Sequence, residues 1–326
     1  MTNDEAVNSI FEEVVEPYTG GSPQDAELTW TGLRPKEIQQ KLEVKGFTVS
    51  YYIASELLSN SDLKKRTYLK SKTMGKPHPL RNDQFEKIAS IKEFFIQQGY
   101  PVFSIDTKKK ELIGNFYRSG HYYDRSAREV NDHDFESFAE GKIIPHGIYD
   151  LVKNTGYITL GTSKDTSAFV CDNIANFWLQ QGQWVYPEQE WMLLLCDGGG
   201  SNNARHYIVK QDFCKLAKKI KMNLLVAHYP PYCSKYNPIE HRLFPHLHHA
   251  WDGCVLSSIQ IAKELAERTS TKTGLSVKVN INERQYMTQR PVCEKFKSNI
   301  NDIIDFDQDL PQWNYAIKHQ NVEFIF

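Results

Sequence analysis

The chain has no run of about 20 apolar residues, the length a membrane helix needs. Its start, Met1-Thr2-Asn3-Asp4-Glu5, lacks the basic and apolar pattern of a secretory leader. The six cysteines, at 171, 196, 214, 233, 254 and 293, include no Cys-x-x-Cys pair. This excludes a recognisable disulfide framework or thiolate zinc site and predicts reduced thiols in a cytoplasmic protein. Net charge is almost missing as well, at −1, which taken alone argues against a nucleic-acid partner.

The distribution of charge argues the other way. Residues 1–30 hold seven acidic side chains and no Lys or Arg, whereas residues 31–120 hold seventeen basic against nine acidic. A basic excess on that scale is the footprint of a phosphate-binding surface. Within it, residues 31–60 read as a helix-turn-helix. Pro35 to Leu42 forms a helix with Leu33, Ile38 and Leu42 inward, Gly46 breaks it, and Ser50 caps a second helix from Tyr51 to Leu58 that buries Ile53 and Leu57. Ser50, Tyr51 and Tyr52 face outward near the second helix's start, where such motifs reach bases. Residues 61–98 then form a basic linker and a helix. Lys64, Lys65, Arg66, Lys70 and Lys72 can track a DNA backbone, and Gln84 to Gln97 carries an apolar face of Phe85, Ile88, Ile91 and Phe94-Phe95.

The apolar run Trp191 to Cys196 stops at Asp197 and a triple glycine, as a buried strand ending at a ligand site does. A helix from Tyr207 to Ile220 and a strand from Leu224 to Ala227 follow, leading to His228. Asn237-Pro238-Ile239-Glu240 has the order of a helix start, with Asn as N-cap. Upstream, Pro101 to Ile105 alternates like a strand and ends at Asp106, with Glu111 to Tyr117 hairpinned to it. His146 to Val152 and Gly156 to Thr162 form a strand pair, and Asp165-Thr166 opens a helix reaching Gln181.

Three carboxylates, Asp106, Asp197 and Glu240, thus stand at the ends of regular elements. Hard oxygen donors in that number suit magnesium, which also takes substrate phosphate oxygens. Two ions about 3.5–4 Å apart can clamp the attacking and leaving oxygens of a phosphoryl displacement. The histidines at 241, 246, 248 and 249 read poorly as a zinc site, because no thiolates converge on them.

Ser104 to Leu112, Asp197 to Asn202 and Tyr236 to Phe244 resemble the DDE transposases of bacterial insertion sequences. More narrowly, the chain from about Leu33 to Tyr315 is similar to the Rhodopirellula-type family, a relative of the mariner-like group. The resemblance implies an α/β fold: a ribonuclease-H-like mixed sheet flanked by helices, preceded by a small helical helix-turn-helix domain. On this reading residues 1–30 are an acidic segment, 99–290 the catalytic domain and 291–326 a tail. Asp106, Asp197 and Glu240 become the metal-binding triad for Mg2+, two ions in number and replaceable by Mn2+. Asn202, His228, Asn237, His241 and Arg242 support the site. The last two face the scissile phosphate or pack beneath it.

The implied partners are double-stranded DNA, as element ends and target, and a second copy of the chain on that DNA. A bacterial, nucleoid-associated location follows, with no membrane. Two departures stand out: Tyr232-Cys233 replaces an expected Gly-Thr-like pair, and the further helix-turn-helix that usually leads such proteins is missing. A DNA-binding remnant without catalysis and a metal-dependent nuclease without strand transfer are the rival readings. The intact triad argues against the first of them.

Overall fold

A computed structural model describes residues 3–22, 25–61, 63, 78–121 and 125–322. The chain forms two compact units, Met1–Lys72 and Thr73–Phe326. Among the described residues, no helix is long and apolar enough to cross a membrane.

The first unit packs helix α1 (Asn3–Val15), a β1–β2 hairpin (Thr19–Ser22 and Asp25–Thr31), α2 (Pro35–Val44) and α3 (Tyr51–Asn60). Phe11, Val14 and Val15 of α1 share one core with Ile38, Leu42 and Ala54, so the acidic start of the chain is part of the helical unit. Ser50 caps α3, accepting from Ile53 N at 3.3 Å. The inward face of α3 is turned from the one the spacing predicts: Ala54 is fully buried and Ile53 is 44% exposed. Tyr51 and Tyr52 are both exposed, and Tyr52 is the barer of the two. Lys64, Lys65, Arg66, Lys70 and Lys72 lie outside the described residues.

The second unit is built on one mixed sheet. Its elements are α4 (Arg81–Gln97), β3 (Val102–Thr107), β4 (Glu111–Ile113), β5 (Gly141–Asp150), β6 (Thr155–Gly161) and α5 (Ser167–Phe177). A π-turn leads to α6 (Gln183–Val185), then come β7 (Trp191–Cys196), α7 (Tyr207–Ile220), β8 (Asn223–His228), α8 (Ile239–Arg242) and α9 (Phe244–Trp251). The chain closes with α10 (Ile259–Glu267), β9 (Ser276–Asn282), α11 (Glu294–Ser298), α12 (Ile300–Ile303), β10 (Ile304–Phe306) and β11 (Asn314–Ile317).

The strand order is β10-β11-β8-β7-β3-β5-β6-β9, with β4 paired to β5 off that path. At its centre β3, β5 and β6 run antiparallel, while β7 and β8 lie parallel to β3. This is the ribonuclease-H-like sheet that the resemblance implies, flanked by helices. The second strand differs from expectation. β4 is only three residues long and pairs with β5, because β5 already occupies the whole edge of β3. Residues beyond 291, expected to form a tail, supply β10 and β11 to the sheet edge beside β8.

Two faces of the sheet carry separate cores. Phe103 and Ile105 point to one, with Val170, Ile174, Phe213 and Leu216 of α5 and α7. Ile239 of α8, Leu243 between the helices, and Phe244 and Leu247 of α9 cover Tyr149 and Ile158 on the other. On α4 the buried residues are Gln84, Ile88 and Phe95, while Phe94 is 53% exposed. Phe85 and Ile91 pack beside them as expected, and Gln84 joins the buried side because it has polar partners there.

Candidate active site

Register brings the first two carboxylates together. Ile105 pairs with Cys196 across the parallel β3–β7 ladder, so Asp106 and Asp197 follow side by side at the strand ends. Asp106 is 7% exposed and accepts from the Thr107 amide at 2.7 Å. Asp197 is held by the Gly199 amide and by the side chain of Asn202. Beyond it the turn uses the left-handed conformation only at Gly200, with φ 53°.

The third carboxylate arrives by packing on a glycine. Gly147 of β5 lies directly across from Asp106. A Cβ there would sit 2.7 Å from both Ile239 Cδ1 and Phe244 Cε1, so its absence seats α8 on the strand. Glu240 is thereby placed against Asp106 on the same face.

Asn237, expected as the N-cap of that helix, does something else. Pro238 is at the cap position, with no side-chain hydrogen bond. The Asn237 amide donates to the Ile105 carbonyl at 3.1 Å, and its oxygen accepts from Ser104 Oγ at 2.5 Å. Ser104 Oγ in turn accepts from the Ile239 amide at 2.9 Å. A buried serine and asparagine therefore tie the Glu240 turn to the strand carrying Asp106. In the preceding loop Tyr232 has φ 62°, the conformation a glycine adopts without strain, and Cys233 accepts from Arg81 Nε at 3.3 Å.

The electrostatics follow from this crowding. Burial first, and then the charges of Asp197 and Glu240, push the Asp106 carboxyl up to about 8. The Glu240 side chain adds to this upward push on Asp106. Burial raises Asp197 to about 6, with Glu240 and Asp165 adding repulsion. Among the described residues no three Asp, Glu, His or Cys side chains stand in ion-holding geometry. The donor chemistry nevertheless fits a hard divalent cation. Three carboxylates repel one another, hold a proton for want of countercharge, and include no soft ligand.

Asp165 is legible in the sequence only as part of a helix start. In the fold it accepts from Thr107 Oγ1 at 3.2 Å and its charge reaches Asp197. A cavity of about 770 Å³ opens beside it, lined in part by Lys108, Lys109, Lys110, Tyr117 and Arg118.

His228 is fully buried behind the site, and burial holds its imidazole down at about 4, hence neutral. His241 and Arg242 neither pack beneath the carboxylates nor lie buried. Both are exposed, and His241 Nε2 turns back to the Lys235 carbonyl. His248 and His249 flank Asp252 at 3.6 and 2.8 Å.

The chain matches the family described as Rhodopirellula transposase DDE domain over residues 11–319. Similar solved structures include a Mos1 transposase paired-end complex with the left transposon end. It is 15% identical with a TM-score of 0.43, over 81% of this chain and 71% of that one. A pre-cleavage Mos1 transpososome is 16% identical with a TM-score of 0.40, over 81% and 71%. A mariner Mos1 paired-end complex with Mg is 16% identical with a TM-score of 0.40, over 79% and 68%. No curated protein matches.

Proposed function

The chain belongs to the Rhodopirellula transposase DDE domain family, and from that premise we propose that it cuts DNA at the ends of an insertion sequence and joins those ends to target DNA. The observation that carries this reading is the placement of Asp106, Asp197 and Glu240, three carboxylates from separate elements, at one end of the sheet. A module that only bound DNA would gain nothing from burying acids against one another, since each raises the cost of the next.

In this reading Asp106, Asp197 and Glu240 hold divalent ions, Mg2+ by preference and Mn2+ in its place. The ions supply Lewis acidity toward the phosphodiester and its attacking oxygen. Asp106 and Asp197, fixed at adjacent strand ends, set the position of the scissile phosphate. Glu240 closes the site from the helix packed on that same face of the sheet, and its turn is kept rigid by Ser104 and Asn237. In the first displacement water would attack the phosphodiester, leaving a 5′-phosphate on one side of the break and releasing a 3′-hydroxyl on the other. In the second that 3′-hydroxyl would attack a target phosphodiester, joining to its 5′-phosphate and releasing a target 3′-hydroxyl, with no covalent enzyme intermediate. The test is incubation with DNA carrying the element ends that flank the reading frame. Nicks with 3′-hydroxyl ends in Mg2+, and none with a chelator, are expected. Intact DNA in both Mg2+ and Mn2+ overturns the reading.

DNA binding would fall to the first unit, to the exposed Ser50, Tyr51 and Tyr52, and to the basic arm. A second copy on the same DNA would pair the two ends. Replacing Lys64, Lys65 and Arg66 with Ala should weaken binding alike for all sequences. It should also flatten the log-log salt dependence by roughly 0.9 for each phosphate no longer neutralised. A slope equal to that of the wild type would remove the arm from the interface.

A further inference from the structure

After Asp197 the chain enters Gly198-Gly199-Gly200, which by itself cannot fix the direction of the residue before it. One buried side chain reaches the main chain at that point. His228, level with Cys196 in the parallel register, places Nδ1 3.2 Å from the Asp197 carbonyl oxygen. Its Nε2 lies 3.3 Å from the Tyr315 hydroxyl. A carbonyl can only accept, so Nδ1 carries the proton. In the neutral ring Nε2 then accepts, and the Tyr315 O–H must donate to it. Each group in the series is left with a single role.

The series is braced at its far end. Tyr315 is 1% exposed, and its ring lies 5.8 Å from the imidazole at 29°. The His228 amide donates to the Trp313 carbonyl at 2.9 Å. The His228 carbonyl accepts from Gln84 Nε2 at 2.9 Å, and Gln84 is held by Asn314 at 2.8 Å. Strand β11 and helix α4 thus fix the histidine, and the histidine fixes Asp197.

We propose that His228 and Tyr315 are positioning residues: the Tyr315 O–H···Nε2 and Nδ1–H···O=C Asp197 bonds hold the end of β7 so that the Asp197 carboxylate stays turned toward Asp106 and Glu240. The inference rests on the triad reading, and its test separates the two. Long-range 1H–15N spectra of the full-length, metal-free protein, with the His228 signals identified by their loss in His228→Asn, should show the Nδ1–H tautomer. Tyr315→Phe, which removes only the hydroxyl, should mix the tautomers.

Mn2+ affinity, read from the resonance of the free ion, should fall about tenfold in His228→Gln, the lower end for groups that orient a metal ligand. His228→Asn places an amide N–H near the position of Nδ1–H and should restore most of the affinity. An Nε2–H tautomer in the wild type, or wild-type Mn2+ affinity in His228→Gln, overturns the proposal. If His228→Gln does not fold, the wild-type tautomer still decides. Undiminished Mn2+ binding by Asp197→Asn would instead sink the triad itself.

Discussion

Asp197→Asn is expected to bring magnesium-dependent DNA cleavage to the uncatalysed background while DNA binding and the fold persist. The asparagine keeps an oxygen where the Gly199 amide donates, so the turn after β7 retains that hydrogen bond. It loses the negative charge and the second oxygen of a hard-ion ligand, which an amide cannot replace. Because Asp197 also repels Asp106, the metal-free variant should be no less stable than the wild type. The decisive comparison is single-turnover cleavage in Mg2+ beside a binding titration on the same DNA. Cleavage at the wild-type rate would remove Asp197 from the chemistry. Loss of binding in step with cleavage would mean that the substitution had damaged the protein rather than the site.

Much of this site is legible in the amino-acid sequence, and for assignable reasons. Asp197 follows an apolar run broken by glycines, and Asp106 ends an alternating strand, so local pattern alone marks both strand ends. Glu240 is marked by its neighbours, though not for the reason their composition suggests. Asn237-Pro238 has the composition of a helix start, whereas the Asn237 side chain serves β3 and not the helix.

The residues that sequence cannot supply share one property: their partners are remote. Ser104 and Asn237 are 133 positions apart, Gln84 and Asn314 are 230 apart, and Asp165 meets Thr107 across 58. No local periodicity encodes such pairings. The same cause adds Gln84 to the inward face of α4, where remote polar partners hold it beside the expected Phe85, Ile88, Ile91 and Phe95. It also explains why β4 is not hairpinned to β3. Which strand borders β3 depends on a β5 that begins at Gly141, five residues before the strand expected from His146.

Glu240→Gln is expected to leave the metal-free protein as stable as the wild type or more so, and to remove much of the stabilisation that magnesium brings. A capping role would instead cost on the order of 1 kcal/mol with or without metal. The geometry speaks against capping, because the cap position is Pro238 and the Asn237 amide is committed to Ile105. What Glu240 meets is Asp106, whose carboxyl is raised from 3.8 to about 8, chiefly by burial and then by Asp197 and Glu240. An acid raised in the fold favours the folded state when protonated. Its contribution is therefore complete below the ordinary carboxylate range and is lost as pH climbs toward about 8. Thermal melts of the metal-free wild type should accordingly fall as pH rises through that window, and those of the Gln variant should fall less steeply. Magnesium at about 100 times its Kd should restore roughly 2.7 kcal/mol to the wild type, since an ion bound only by the folded state stabilises it. The Gln variant, with one charged ligand fewer, should gain less. Equal pH slopes together with equal metal-induced shifts in the two proteins would make Glu240 a bystander.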